Sequence, residues 1–357
     1  MTAGQRAWTR RGLLGGAVRG MVGGYAALNL PRWAVAEPGA TATQPANSGS
    51  VPVALTHGDS RAANIYDALR RIEPHIRRGL ARKKRVLIKP NIVSTTHALS
   101  ATHVDALEGL LEFLSPLVRE SIVIAESAAS GPATEGYDHY GYLKLTKKYR
   151  VELVDLDAEP VATEHLVDQR YQPVPLRLYQ RLLDPDTYII SAAVMKTHDR
   201  AVVTLSLKNL VVGAAGKDPG FRWGKGSKGG NDKWLVHGGP KNEGIHFNMF
   251  TLARRLRPDL AVLDGFQGME GNGPVGGTPV DHRVAVASTD WLAADRLAVQ
   301  LMGFDFAKVG YLTFCAKAGM GEADLNRIEV LGPNPADLVR AYKPHENIAQ
   351  QYRWMEG

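Results

Sequence analysis

Short apolar runs alternate along the chain with segments whose apolar residues return every three or four positions. The runs predict strands buried on both faces, and the spaced segments predict amphipathic helices. The predicted strands are Val51–Leu55, Val86–Lys89, Ser121–Ala125, Val151–Leu156, Tyr188–Met195, Leu260–Leu263 and Val280–Ala287. The predicted helices are Ala62–Leu80, Val104–Leu117 (with Thr102 as N-cap), Tyr137–Tyr149, Ile245–Leu256 and Trp291–Met302. This alternation predicts an α/β fold, in which helices on both faces cover a mostly parallel sheet.

Four of the apolar runs end in polar residues that could serve a ligand. In open parallel sheets, ligands bind in the crevice beyond the carboxyl ends of the strands, and those ends share one edge. We therefore expect a ligand crevice at this edge. The polar residues at these four ends are Lys89 with Asn91, Glu126, Lys196 with His198, and Asp264.

The stretch from Tyr188 to Ala214 carries the densest set of candidate contact groups. After its first apolar run it presents Lys196 and His198, and its second apolar run contains Lys208 and Asn209. An ammonium group in apolar surroundings is costly unless it is paired or faces a site. This stretch is therefore predicted to form part of the crevice.

The lysines allow two interpretations. One is a cationic cleft for a phosphate or carboxylate, formed by Lys89, Lys196 and Lys208. The other is a structural ion network, in which these lysines pair with Glu126, Asp264 and Glu270.

The histidines suggest acid–base chemistry or a divalent metal. His198, with Glu126 or Asp264, could transfer protons near neutral pH. The candidate metal ligands are His198, His237 and His246, although none of them shows a ligand spacing such as H-x-x-x-H.

A glycine-rich segment follows Asp264 and contains a formal G-x-G-x-x-G at Gly271, Gly273 and Gly276. A dinucleotide-binding fingerprint should open a helix, whereas here Pro274 interrupts it and a strand is predicted next. Two interpretations stay open. The glycines could bring Glu270 and Asn272 to a ligand, or they could form a tight hairpin-like connection.

The remaining segments set the domain organisation. Residues 51–333 are predicted to form one α/β domain, followed by a tail over 334–357. Within the domain, Gly216–Gly244 is long, glycine-rich and cationic, which is typical of a lid or binding loop.

The N-terminus is typical of an export signal. Residues 1–36 contain five arginines and no Lys, Asp or Glu, and subtracting these five from the net charge of +7 leaves +2. The basic balance therefore does not indicate nucleic-acid binding. Arg10 and Arg11 precede a weakly apolar stretch that ends near Ala36, which predicts a signal peptide for the twin-arginine translocation machinery. Residues 37–50 read as a linker, and the mature chain is predicted to be periplasmic or otherwise exported, without a stable membrane span.

Four motifs resemble the prokaryotic family known as domain of unknown function 362. They are VLIKPN, KTH followed by LKNL, DGFQGMEGNGPVGG and ASTDWLAADRLA, and the resemblance runs from about Val51 to Gly303. It implies an α/β fold. Many members carry ferredoxin-like cysteine motifs, but this chain has one cysteine, Cys315, which cannot supply the thiolates of an iron–sulfur cluster.

Together these features favour an exported enzyme that acts on an anionic small molecule, with or without a metal. Lys89, Lys196 and Lys208 would hold the anion. The alternative is a non-catalytic periplasmic binding protein for a solute or metal.

Overall fold

Strands and helices alternate along residues 49–224, 229–239 and 244–356, which are the residues described by the computed structural model. The strands are β1 (Val51–His57), β2 (Arg85–Lys89), β3 (Ile122–Glu126), β4 (Val151–Asp155), β5 (Val161–Val167), β6 (Pro173–Tyr179), β7 (Thr187–His198), β8 (Val202–Thr204), β9 (Leu260–Glu270), β10 (Thr278–Ser288) and β11 (Ile328–Leu331). The helices are α1 (Arg61–Arg71), α2 (Glu73–Leu80), α3 (Val104–Leu114), α4 (Ala133–His139), α5 (Leu145–Lys148), α6 (Ser206–Gly213), α7 (Lys233–Val236), α8 (Gly244–Ala253), α9 (Trp291–Leu301), α10 (Gly310–Lys317) and α11 (Ile348–Gln351). The predicted signal peptide and residues 37–48 of the predicted linker lie outside the described residues.

Nine strands form the central sheet, in the order β11–β1–β10–β9–β7–β2–β3–β4, with β8 paired to β7. The neighbours β4, β3, β2, β7 and β9 are parallel. Strand β10 is antiparallel to both β9 and β1, and β1 is parallel to β11. The predicted α/β fold with a mostly parallel sheet is therefore confirmed.

Two apolar cores lie on the two faces of the sheet. Helices α1 to α4 contribute side chains to one core, and α6 with α8 to α10 contribute to the other. Strand β7 contributes side chains to both cores, since Ile190 and Ala192 belong to the first core while Ile189 and Ala193 belong to the second. Because successive side chains of a strand point to opposite faces, a central strand covered on both sides reads as a continuous apolar run.

Two of the predicted helices are divided in the structure, and one predicted N-cap residue is replaced by its neighbour. The predicted helix Ala62–Leu80 is divided at Ile72, where the proline in the first turn of α2 starts a new helix. The predicted helix Tyr137–Tyr149 is interrupted by Gly141, whose φ of +78° is not helical. The N-cap of α3 is His103 and not Thr102, because Thr102 Oγ1 instead donates to the carbonyl of Ala192, on β7.

The hairpin of β5 and β6 was missed by the apolar pattern. Its strands form a separate two-stranded sheet, and most of β5 alternates between exposed and partly exposed positions, so no continuous apolar run marks it. The segment after β9 leads into the antiparallel strand β10 and not into a helix. The glycines between Glu270 and Thr278 therefore form a strand-to-strand connection, which is one of the two interpretations left open above.

Candidate functional site

Four neighbouring parallel strands carry the predicted polar residues, at the carboxyl ends of three of them and inside β9, which continues beyond Asp264 to Glu270. Strand β2 ends at Lys89, β3 at Glu126 and β7 at His198, and Asp264 lies on β9 opposite Val194 of β7. The side chains at these ends are buried. Their hydrogen bonds separate the residues that support the site from those that remain available to a ligand.

Lys89 and Glu126 form a saturated ion pair. Lys89 Nζ donates to the two carboxylate oxygens of Glu126, at 2.8 and 2.9 Å, and to Asn209 Oδ1 at 3.2 Å. Glu126 also accepts from the backbone N–H groups of Ile92 and Ser127. These contacts fit the structural ion network and give Glu126 a supporting place in the site, and its acid–base role stays a prediction.

Two asparagines extend this network towards the middle of the edge. Asn209 Nδ2 donates to the Lys89 carbonyl at 3.1 Å and to Ser191 Oγ at 3.0 Å. Asn209 Oδ1 accepts from Asn91 Nδ2 at 3.2 Å, whereas Asn91 Oδ1 is buried and has no hydrogen-bond partner within the described ranges. Asn209 therefore supports the site, and Asn91 leaves one acceptor available.

His198 and His237 stack on each other, with ring centroids 5.6 Å apart and planes 25° apart. His237 Nδ1 lies 2.7 Å from the carbonyl of Lys233, which can only accept, so this nitrogen carries the proton and Nε2 carries a lone pair. His198 Nδ1 accepts from the backbone N–H of Arg200 at 3.0 Å, so the neutral ring carries its proton on Nε2. Asp199 Oδ1, 3.0 Å from the same nitrogen, forms an ion pair with it only when the ring is protonated.

Both imidazoles are held neutral. Burial, followed by the nearby charge of Lys208, lowers the pKa of His198 well below its ordinary value and lowers the pKa of His237 to about 3. The pair thus presents opposite functions side by side. His237 offers an acceptor at Nε2, and His198 offers a donor at Nε2.

Lys208 is the lysine of the site whose ammonium group makes no hydrogen bond to any residue that the structure describes, although its side chain is only 6% exposed. Burial lowers its pKa from 10.5 to about 8, with Asp199 acting against this shift and Lys89 adding to it. Lys196 is fully buried and donates to the Ser100 carbonyl at 2.9 Å. Burial and then the charge of Lys208 lower the pKa of Lys196 well below its ordinary range. Lys208 is therefore the cation best placed to receive an anion.

Asp264 has a partner that the strand pattern did not reveal. Arg61, at the start of α1, places its Nε 3.2 Å from Asp264 Oδ2, and its guanidinium lies 5.0 Å above the ring of Phe266. Asp264 Oδ1 accepts from the backbone N–H of Phe266 at 3.0 Å. Burial raises the pKa of Asp264, and the charge of Arg61 opposes that shift. Asp264 is thus one half of a buried ion pair, and its catalytic role stays a prediction.

The predicted three-histidine metal site is not formed. His246 packs between the rings of Tyr311 and Trp354, and its Nδ1 accepts from the backbone N–H of Tyr311. Within the described ranges, no three His, Cys, Asp or Glu side chains are grouped so that they could hold a metal ion. His246 is a core residue between α8 and α10, and it is separate from the stacked pair.

Glu270 and Asn272 bind the C-terminal segment of the chain. Glu270 Oε2 accepts from the backbone N–H of Lys343 at 2.9 Å. Asn272 Nδ2 donates to Glu346 Oε2 at 3.0 Å, and Asn272 Oδ1 accepts from the backbone N–H of Glu346 at 3.2 Å. Both residues thus tie the connection between β9 and β10 to the C-terminal segment, and their ligand-binding role stays a prediction.

A second buried polar network ties the glycine-rich segment to the sheet, and it was not predicted. Lys217 pairs with Asp157, which also accepts from Ser127 Oγ at 2.6 Å and from Tyr179 at 2.8 Å. Lys233 Nζ donates to Ser127 Oγ at 2.9 Å and to the carbonyls of α6 and its following turn. The described part of the segment is therefore anchored at its base. This anchoring holds α7 in place, and with it His237, which directly follows the helix.

The stacked pair lies at the edge of a nearly closed cluster. His198 is only 3% exposed, whereas His237 is half-buried and contacts the exposed ring of Trp234, with centroids 5.9 Å apart. Two surface grooves of about 590 and 500 Å³ lie elsewhere, one beside α9 and one at the opposite ends of β2 and β7. His237 is therefore the outermost imidazole of the site.

No helix within the described ranges is both long enough and apolar enough to span a bilayer.

Among solved structures, the lactate racemase apoprotein from Thermoanaerobacterium thermosaccharolyticum is similar at 13% identity, with a TM-score of 0.42 over 71% of this chain. A Thermotoga maritima protein is similar at 11% identity, with a TM-score of 0.36 over 74% of this chain. This chain spans 57% and 60% of the lengths of those two proteins.

The sequence comparisons cover the strands that build the site. The chain is 24% identical over 276 residues to the Thylakoid-associated protein of Synechocystis sp., and the alignment covers 76% of each chain. The profile of the family described as Domain of unknown function (DUF362) matches residues 86–300, a range that includes Lys89, His198, Lys208 and Asp264. Because this match spans more than half of the chain, the protein belongs to the DUF362 family.

Proposed function

We propose that this protein is an enzyme that catalyses proton transfer on a small anionic molecule. Lys208 binds the anionic group, His237 is the general base and His198 is the general acid. One observation supports this proposal above the others. Two neutral imidazoles in opposite tautomers are stacked beside a buried lysine whose ammonium group has no hydrogen-bond partner within the described ranges.

The electrostatics make the binding of an anion and the basicity of the histidines interdependent. In the unliganded site, burial and the charge of Lys208 disfavour protonation of both imidazoles. An anion bound to Lys208 offsets that charge, so it raises the pKa of both rings towards the neutral range where general acid–base catalysis is efficient. The imidazoles of His198 and His237 are therefore stronger bases when the anion is bound than when the site is empty.

Proton transfer would then use atoms that the protein already presents. His237 Nε2 accepts a proton from the ligand, and the imidazolium that forms is held by the Lys233 carbonyl at Nδ1. Once the bound anion has raised its pKa, His198 is protonated on both nitrogens, with Nδ1 paired to Asp199. It then donates the Nε2 proton to the ligand and becomes a neutral ring. The nearly closed cluster keeps bulk water from competing for these protons.

Deuterium incorporation tests the proposal. The purified protein is incubated in D₂O with a panel of small carboxylates and organic phosphates, and NMR and mass spectrometry follow exchange or conversion of each compound. We expect at least one anion that binds the protein to exchange or react. His198→Ala and His237→Ala should lower the rate by about 10²- to 10⁴-fold, which is the usual contribution of a general acid or base.

Two controls separate catalysis from binding. Lys208→Met should abolish anion binding as well as turnover, whereas His246→Ala, which alters the core and not the pair, should leave turnover per folded molecule unchanged. Anions that bind tightly but neither exchange nor react would assign the chain to the competing class of binding proteins. Turnover that is lost with a chelator and restored by a divalent cation would assign a metal-assisted form.

We also propose that the protein is exported by the twin-arginine machinery and acts in the periplasm. This proposal is supported by the Arg10–Arg11 pair and the small residues before Glu37.

A further inference from the structure

An unused hydrogen-bond acceptor lies in the site. Asn91 follows β2, its side chain is only 7% exposed, and its Oδ1 has no hydrogen-bond partner among the residues that the structure describes. A buried polar atom left without a partner costs about 1–3 kcal/mol, so each such atom in a folded protein needs an explanation.

The orientation of this amide is fixed by its neighbours. The Lys89 carbonyl can only accept, so the group of Asn209 facing it at 3.1 Å must be the amide nitrogen. The Lys89 ammonium can only donate, so the group of Asn209 facing it at 3.2 Å must be Oδ1. Asn91 therefore has to turn its Nδ2 towards that oxygen, because the reversed amide would place two oxygens 3.2 Å apart. The unpartnered atom of Asn91 is thus an acceptor.

The acceptor belongs to the same cluster as the unpaired cation. Asn91 Nδ2 and Lys89 Nζ share Asn209 Oδ1, at 3.2 Å each. Lys208 directly precedes Asn209 on α6, and the charge of Lys89 adds to the lowering of the pKa of Lys208. The protein therefore presents, within one buried cluster, a positive charge without an anion and an acceptor without a donor.

We propose that the ligand of this site carries a hydroxyl or amine donor beside its anionic group, and that Asn91 Oδ1 accepts a hydrogen bond from that donor. This inference rests on the proposed function, since it takes Lys208 as the anion-binding group. It narrows the substrate class from any small anion to anions with an adjacent donor. A site that provides a buried partner for a ligand hydroxyl disfavours the analogue that lacks it, because the buried partner then stays unpaired.

Matched pairs of anions test this inference on the full-length purified protein. Isothermal titration calorimetry measures the affinities of glycolate and acetate, and of malate and succinate, since the members of each pair differ by one hydroxyl group. In the wild-type protein we expect the hydroxylated member of at least one pair to bind at least tenfold more tightly. Asn91→Leu keeps the approximate shape of the side chain but removes the acceptor. In this variant the affinities of the two members of the pair should differ by less than twofold.

The outcomes separate this inference from the proposed function. Equal affinities within both pairs in the wild-type protein would overturn the inference and leave anion binding intact. That comparison does not depend on whether Asn91→Leu folds. A preference that persists in folded Asn91→Leu would remove Asn91 from the donor site. Failure of all four anions to bind the wild-type protein, or equal binding by Lys208→Met, would overturn the proposed function and this inference with it.

Discussion

At the scale of single residues, the buried lysines fall into two kinds. Lys89 and Lys217 each pair with a carboxylate, and Lys233 donates to a hydroxyl and two carbonyls, so all three ammonium groups have hydrogen-bond partners within the protein. Lys208 has no such acceptor among the described residues, and Lys196 has one carbonyl. A buried ammonium without a partner is expensive, and a ligand is the simplest compensation. The distinction could not be made from the sequence, because all of these residues are lysines in apolar or glycine-rich surroundings.

The affinity of the site for anions should fall as the pH rises through about 8. Burial lowers the pKa of Lys208 from 10.5 to about 8, so its ammonium form dominates below this pH and its neutral amine dominates above it. We expect the affinity for inorganic phosphate or acetate to fall by up to tenfold per pH unit above about pH 8, because binding then requires uptake of a proton. Calorimetric titrations between pH 6.5 and 9.5 measure this dependence.

The Lys208→Arg variant is the matched control, because a guanidinium keeps its charge over this whole pH range. Its residual anion affinity should show no fall near pH 8. A wild-type affinity that is flat from pH 6.5 to 9.5, or the same fall in Lys208→Arg, would assign the anion to another group.

At the scale of elements, the ion pair of Arg61 and Asp264 fastens the start of α1 to β9. The side chains of the pair are 11% and 4% exposed, so each charge depends on the other. Arg61→Leu should lower the free energy of unfolding by about 3–5 kcal/mol, because it leaves a buried carboxylate unpaired. The deficit should shrink as the pH falls from 8 to 5, since burial already raises the pKa of Asp264 and protonation removes the uncompensated charge. Urea unfolding at several pH values measures both effects.

Two further variants make this result specific. Arg71→Leu changes an exposed arginine at the end of the same helix and should cost no more than about 0.5 kcal/mol. Adding Asp264→Asn to Arg61→Leu should recover part of the loss, because no charge then remains to be compensated. A deficit that does not vary with pH would show that Arg61 contributes packing and not charge.

The elements that the sequence predicted well are those whose burial is complete. Strand β7 and its parallel neighbours read as continuous apolar runs because both of their faces are covered. That Lys89, Glu126 and His198 stand at the carboxyl ends of neighbouring strands followed from parallel strand directions alone. Hairpin β5–β6 was not predicted, since its strands are half exposed and lie outside the main sheet.

The roles of the site residues required the folded structure. Arg61, Ser127 and Lys233 complete the two buried networks, yet they come from a helix start, a strand end and a glycine-rich segment that no shared spacing connects. The structure stacks His237, a candidate metal ligand, on His198 of β7, and the charge of Lys208 contributes to the lowered pKa of both rings. The sequence could not show that Glu126 is saturated by hydrogen bonds or that His246 packs in the core.

At the scale of the whole molecule, the charge distribution separates the N-terminal segment from the rest of the chain. Residues 1–36 hold five arginines and no other charged residue, and the remaining residues carry a net charge of +2. A nearly neutral domain gains little from a polyanionic partner, whereas a short basic segment before an apolar stretch is what an export signal requires. Under the proposed export, this N-terminal segment would account for both the periplasmic location and the basic composition of the chain.

Changing both Arg10 and Arg11 to lysine should keep the precursor in the cytoplasm. Twin-arginine recognition depends on the paired guanidinium groups, which lysine does not reproduce. In a bacterial host with this machinery, the wild-type protein should appear in the periplasm with a mature mass that corresponds to a chain starting near Glu37. Fractionation and intact-mass spectrometry measure both. Arg19→Lys, which leaves the pair intact, should be exported normally, so a loss of export in this control would point to net charge and not to the pair. Normal periplasmic yield and mature mass of the double-lysine protein would instead show that the pair is not needed for export.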